Sequence, residues 1–192
     1  MIVVGLLLAG GRSSRFGSEK AVFELQSGLA MMDAPLNALR SACVRVAVSA
    51  RVGGGAETRA RRLDLPILVD DPAHPEGPLA GILAGLEWAA AVGADWLVTA
   101  PCDAPTVKDR LVKDLIAEVI KGAPAAVAVS GSNWEPLLAA WPVRTARLHL
   151  TTLLHQGTHP SVKTVLAELG ALPVTGHDGV NVNRPSDLTP LT

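Results

Sequence analysis

Short β-branched or alternating apolar runs, each stopped by glycine, proline or aspartate, take turns with stretches of helical apolar spacing through the first 120 residues. Such a rhythm has few solutions, because each strand–helix–strand unit returns the chain to a parallel neighbour in the same sheet. The runs predict strands at Ile2–Leu8, Val44–Ala50, Ile67–Val69 and Trp96–Ala100. Between them the spacing predicts helices at Ala30–Ala42, Ala56–Leu63, Leu79–Val92 and Val107–Lys121, with a short amphipathic piece at Ala21–Leu25. Asp33 near the start and Arg40 near the end of the first helix suit its dipole. Beyond residue 120 the pattern predicts a strand Ala125–Ser130, a loop to Glu135 and an antiparallel strand Pro136–Trp141. Helices Val143–Gln156 and Ser161–Leu169, a short strand Leu172–Thr175, and an extended piece Asn181–Asn183 before a helix start at 184–188 complete it. The expected fold class is α/β, a Rossmann-like three-layer sandwich on a mostly parallel sheet with an antiparallel strand.

Composition narrows the function. At 192 residues the chain is read as one domain, 1–192, and 48% hydrophobic content is enough for a core. The apolar stretch Leu79–Val92 is interrupted by Gly81, Gly85 and Glu87, so no membrane span is expected. A net charge of −1 with no basic run speaks against nucleic acid. Arg59, Arg61 and Arg62 read as a solvated helix face. The start of the chain lacks the features of a signal peptide, and the two cysteines, Cys43 and Cys102, have neither C-x-x-C nor zinc spacing, so a reduced, cytoplasmic protein is expected.

In open parallel sheets ligands bind beyond the carboxyl ends of the strands. Four groups of residues fall there. The first is the stretch that follows the opening strand, LLLAGGRSSRFGSEK, Leu6 to Lys20. Gly10 and Gly11 allow a sharp turn and a close approach to a ligand, with Arg12, Arg15 and Lys20 following, a combination suited to a polyphosphate. It has neither the Walker ending nor the dinucleotide G-x-G-x-x-G spacing, and Gly-Gly with Ser and Arg is also ordinary loop composition. The second and third groups are the strand ends at Ser49 and at Asp70 and Asp71. The fourth is Pro101-Cys102-Asp103-Ala104-Pro105, where Asp103 either caps the next helix or holds Mg²⁺ together with substrate phosphates. The five histidines have no ligand or triad spacing, and Cys102 has no flanking cation to activate it.

Leu8-Ala9-Gly10-Gly11 followed by Arg15, Gly17 and Lys20 resembles the signature of the nucleotidyltransferases, and in particular of the molybdenum cofactor guanylyltransferases. Three further elements carry the likeness in the same order. Gly77-Pro78-Leu79-Ala80-Gly81 is similar to the family's element bordering the nucleotide, Pro101-Cys102-Asp103-Ala104-Pro105 to its metal-binding strand end, and Asn181-Val182-Asn183-x-Pro185 to its ending on the pterin or metal side. Pro136-Leu137 and Trp141 match its Pro-Leu strand. The resemblance implies a nucleotidyltransferase fold and transfer of GMP from GTP to the phosphate of molybdopterin or the molybdenum cofactor, with Mg²⁺ at Asp103. It implies Lys20, Arg15 and Asp103 as the catalytic set. Nucleotide contacts are implied at Leu8, Ala9, Gly10, Gly11, Lys20, Ser49, Asp70 or Asp71 (Asp71 favoured), Gly77, Pro78 and Asp103, with Asn181 and Asn183 completing the site. Acceptor molybdoenzymes or their chaperones would be the partners that receive the product. Two stretches depart from the family: Ser49-Ala50-Arg51 stands where Asn-Ala-Asn or Ser-Ala-Asn is common, and Gly28-Leu29-Ala30-Met31 where Gly-x-Pro-Leu is. Guanine is favoured because cytidylyl relatives commonly carry alanine where Gly10 stands, and the missing methyl leaves room for a purine. A molybdopterin cytidylyltransferase, a sugar-phosphate nucleotidyltransferase and a non-catalytic nucleotide-binding protein are the alternatives.

Overall fold

The structure, a computed structural model, describes residues 1–11, 19–71, 73–75 and 77–175. The expectations for Arg12, Arg15, Gly17, Asn181, Asn183 and the helix start at 184–188 lie outside the described residues. Seven strands form one sheet: β1 (Val3–Leu8), β2 (Arg45–Ser49), β3 (Ile67–Leu68), β4 (Trp96–Pro101), β5 (Ala125–Ser130), β6 (Asn133–Pro142) and β7 (Ala171–Val174). Their order across the sheet is β3-β2-β1-β4-β6-β5-β7, and all pairs are parallel except the two that β6 makes with β4 and β5.

Six helices cover the two faces: α1 (Asp33–Ala42), α2 (Gly55–Arg62), α3 (Pro78–Ala91), α4 (Asp109–Ile120), α5 (Val143–His155) and α6 (Val162–Glu168). Successive strand residues alternate between the faces, as the pleat requires. Val3, Leu7, Val46, Val48 and Val98 pack with Leu36, Leu39, Ala56, Ala60, Leu111 and Leu115 of α1, α2 and α4. Val4, Leu6, Ala47, Leu97 and Val127 pack with Ile82, Leu86, Leu150 and Val165 of α3, α5 and α6. The sheet thus lies between two helical layers, the expected three-layer α/β sandwich. No described helix is long and apolar enough to cross a membrane.

Several boundaries differ from the sequence expectation. The loop to Glu135 is instead strand: a turn at Gly131 and Ser132 closes a hairpin in which Asn133, Trp134 and Glu135 pair with Ser130, Val129 and Ala128. A register shift between Val127 and Ala128 interrupts the ladder, and it masks the period-two signal in the sequence. The piece Ala21–Leu25 is a single 3₁₀ turn, Lys20–Val22, followed by extended backbone in which Glu24 bridges Ala30. Helix α1 starts at Asp33 rather than Ala30, and the Asp33 carboxylate accepts the Ala30 N–H at 2.9 Å. Arg59 is not part of a plain solvated face, because it forks onto the buried Asp33 with bonds of 2.8 and 2.6 Å and ties α2 to α1.

One buried polar link joins β6 to the parallel strands. The Trp141 indole N–H, fully buried, donates to Thr99 Oγ1 at 3.0 Å. Replacing Thr99 by the near-isosteric valine leaves that N–H without an acceptor, so a loss of about 1–3 kcal/mol is expected. In a chain of this size each kcal/mol corresponds to about 2–4 °C of Tm, measurable by thermal unfolding. An unchanged Tm would mean that the indole finds another acceptor.

Candidate active site

Strand register brings the carboxyl ends together. Leu8 is level with Ser49 on one side and with Pro101 on the other. The ladder continues past the strand ends: Ala9 N–H donates to the Ser49 carbonyl at 2.8 Å, Ala50 N–H to the Leu68 carbonyl at 3.1 Å, and Cys102 N–H to the Leu8 carbonyl at 3.0 Å. Gly10, Ser49, Asp70 and Asp103 therefore leave the sheet at one edge, as parallel topology demands.

Of the two readings that the position of Asp103 allowed, the structure speaks to the capping one. Helix α4 begins at Asp109 with Lys108 at the N-cap, so Asp103 caps no helix. Its Oδ2 lies 3.2 Å from Lys20 Nζ, and the two side chains are only 23% and 14% exposed. The structure thus joins a residue that follows β1 to one that follows β4. The pair sets two opposite charges, partly screened from water, at the carboxyl edge of the sheet, where charge–charge interactions are stronger than in bulk solvent. Among the described residues no three His, Cys, Asp or Glu side chains gather into a metal cage. A single carboxylate suits Mg²⁺, which keeps waters and takes its remaining ligands from substrate phosphates.

Next to Gly10, Ser49, Asp70 and α3 form a tight corner. The Ser49 hydroxyl donates to Asp70 Oδ1 at 3.4 Å. A Cβ on Gly81 would sit 2.9 Å from Ser49 Oγ and 3.2 Å from Asp70 Oδ1, so only glycine lets the first turn of α3 come this close. A Cβ on Gly10 would face the same corner, 3.6 Å from Ser49 Oγ and 3.9 Å from Asp70 Oδ2, at ordinary contact distance. Burial pushes the Asp70 carboxyl above its usual range, opposed by the Ser49 hydroxyl and the charge of Arg51. Asp71 is placed differently: exposed, with Oδ1 accepting the Ala73 N–H at 2.8 Å in a local turn. Gly77 and Pro78 start α3 on this flank, with the His159 ring packed against Gly77.

Cys102 sits beside this edge as a packed thiol, pushed up to about 12 by burial and next by the Asp103 charge. That agrees with the absence of an activating cation in its sequence neighbourhood. Two residues given no role in the sequence reading make contacts around the site. Arg51 Nε donates to the Gly10 carbonyl at 2.9 Å, and Glu19 bonds the start of α2 through both carboxylate oxygens. Only the position of Glu19 beside Lys20 hinted at a role, since its partners lie 36 and 37 residues away.

A mostly parallel α/β sheet with a lysine–aspartate pair at its carboxyl edge is the place where such sheets bind ligands, and comparison with known families gives the class, the α/β nucleotidyltransferases. A family model described as the MobA-like NTP transferase domain matches residues 5–172, and the chain belongs to that family. A molybdenum cofactor guanylyltransferase of Cereibacter sphaeroides is 39% identical over 193 residues, covering 98% of this chain and 94% of the relative. Its namesake in Acidiphilium cryptum is 34% identical over 187 residues, covering 95% and 90%. Among solved structures, molybdopterin-guanine dinucleotide biosynthesis protein A from Archaeoglobus fulgidus superposes with a TM-score of 0.76, at 23% identity over 99% of this chain and 96% of that one. At that identity the likeness speaks for the fold.

Proposed function

We propose that this protein transfers GMP from GTP to the phosphate of molybdopterin or the molybdenum cofactor, releasing pyrophosphate. The observation that carries the reading is the Lys20–Asp103 pair at the carboxyl edge of the sheet, in a chain 39% identical to a molybdenum cofactor guanylyltransferase over 98% of its length. The acceptor phosphate is ionised at neutral pH and is itself the nucleophile, so the site needs no general base. What it must supply is position and positive charge where negative charge grows on the leaving pyrophosphate.

The described residues divide that work by chemistry. Asp103 would hold Mg²⁺, which supplies charge neutralisation to the phosphates when bound. Lys20, a compact ammonium on a mobile stem, binds the phosphates and stabilises the leaving group. A magnesium triphosphate carries both signs of charge, so it can replace the Lys20–Asp103 contact with one partner for each. Gly10 and Gly11 let the backbone approach the phosphates. Ser49 and Asp70 form the nucleoside corner, where the Asp70 carboxylate can accept from the N1–H and N2–H donors of guanine, which cytosine lacks. Arg15, Asn181 and Asn183 belong to this proposal through the family likeness. So do a cytoplasmic location and delivery of the product to molybdoenzymes or their chaperones.

Isothermal titration with GTP, CTP and ATP in the presence of Mg²⁺, followed by a pyrophosphate-release assay with molybdopterin, tests the reading. The expected result is preferential GTP binding and pyrophosphate release that requires the acceptor. Preference for CTP would overturn the base assignment. Tight GTP binding with no release would leave a nucleotide-binding protein in place of an enzyme.

A further inference from the structure

Lys20 approaches Asp103 from a single 3₁₀ turn, and three residues of such a turn cannot by themselves hold a long side chain in register. The anchor lies one residue earlier. Glu19 Oε2 accepts the Gly55 N–H at 2.6 Å and Oε1 accepts the Ala56 N–H at 2.8 Å, so the carboxylate straddles the first turn of α2. That helix lacks a cap of its own, since Gly54 stands at the N-cap and no side chain there bonds its N–H groups. A carboxylate supplied from elsewhere in the chain satisfies two orphan donors and sits at the positive end of the helix dipole.

The contact is closely fitted. A Cβ on Gly55 would lie 2.8 Å from Val22 Cγ2, so any residue but glycine would push α2 away from the turn that carries Lys20. The same stretch also holds a second point: Arg51, four residues before Gly55, donates through Nε to the Gly10 carbonyl at 2.9 Å. A carbonyl and the N–H of the same trans peptide point in opposite directions, so pinning the Gly10 carbonyl toward Arg51 turns the Gly11 N–H away from it. Gly10 and Glu19 are thus both tied to the stretch Arg51–Ala56. Both Glu19 oxygens are engaged by backbone donors, which separates its role from that of the cation-facing Asp103.

We propose that Glu19 is a positioning residue for nucleotidyl transfer: clasped by the N-terminus of α2, it sets Lys20 against Asp103, while Arg51, just before that helix, holds the Gly10 carbonyl. This rests on the function proposed above. The consequence is that α2, which supplies none of the site residues named above, controls how well the lysine is placed.

The test is a double-mutant cycle on the full chain with Glu19→Gln, Lys20→Ala and the double variant, read in MgGTP affinity by isothermal titration. The single variants and wild type are also compared in GMP transfer rate. Glutamine can accept only one of the two N–H groups, and the expected result is a transfer rate lowered about 10- to 100-fold by misplacement of Lys20. In the Lys20→Ala background the further effect of Glu19→Gln on MgGTP affinity should fall below about twofold, because the residue acts through the lysine. Gly55→Ala, which displaces α2 while leaving both charged residues intact, should slow transfer similarly, and it decides the matter where Glu19→Gln does not fold. A full transfer rate in Glu19→Gln, or additive losses in the cycle, would overturn the proposal and make Glu19 a plain helix cap. A wild type that binds MgGTP but transfers nothing would overturn the enzyme function instead, and the affinity cycle would still decide the role of Glu19.

Discussion

Replacing Lys20 by alanine is expected to lower kcat/KM for GMP transfer by about 10²- to 10³-fold while leaving the fold intact. The magnitude is that of removing one preorganised positive group from a site where charge develops on the leaving group. Lys20 is 14% exposed in its side chain and sits 3.2 Å from Asp103, so its position is set before any nucleotide arrives. The fold should survive because the pair lies at the carboxyl edge, outside both apolar layers. Steady-state kinetics with molybdopterin and GTP, alongside far-ultraviolet circular dichroism, checks both halves. Unaltered turnover would remove the lysine from the mechanism.

The second large effect is expected at the other end of the pair. Asp103→Asn keeps the shape of the side chain and an oxygen that can accept from Lys20 Nζ, but it removes the negative charge. If Asp103 holds the cation, transfer should fall on the order of 100-fold or more, and the Mg²⁺ concentration needed for half-maximal rate should rise. If Asp103 only positions the lysine, asparagine should substitute well and the Mg²⁺ dependence should stay put. Titrating Mg²⁺ at saturating GTP separates these outcomes. Because the N-cap position of α4 is Lys108 and not Asp103, neither result is confounded by loss of a helix cap.

Much of this site was legible before the structure. Asp103 stood out because a carboxylate between prolines at the end of an apolar strand run has few purposes, and Gly10–Gly11 because paired glycines follow the first strand directly. The corner made by Ser49, Asp70 and Gly81 was not legible as a unit, since three separate segments meet there only after the sheet forms. Asp70 and Asp71 illustrate the limit well. Neighbours in sequence with the same chemistry, they are sent to a buried corner and to an exposed turn by the pleat and the loop that follows. Glu19 was harder still. It reads as one more surface carboxylate until α2 is seen to present two N–H groups to it.

The sequence alone determined the order of the main strands and helices among the described residues, though not every boundary, because apolar periodicity, glycine and proline act over a few residues and need no distant partner. It also determined which edge of the sheet carries the chemistry, since parallel strands must end on one side. Tertiary structure alone decided the insertion of β6 between β4 and β5, the pairing of Lys20 with Asp103, and the clasp of Glu19 by α2. Those contacts join residues dozens of positions apart, and their energies depend on distances that exist only once the layers have packed.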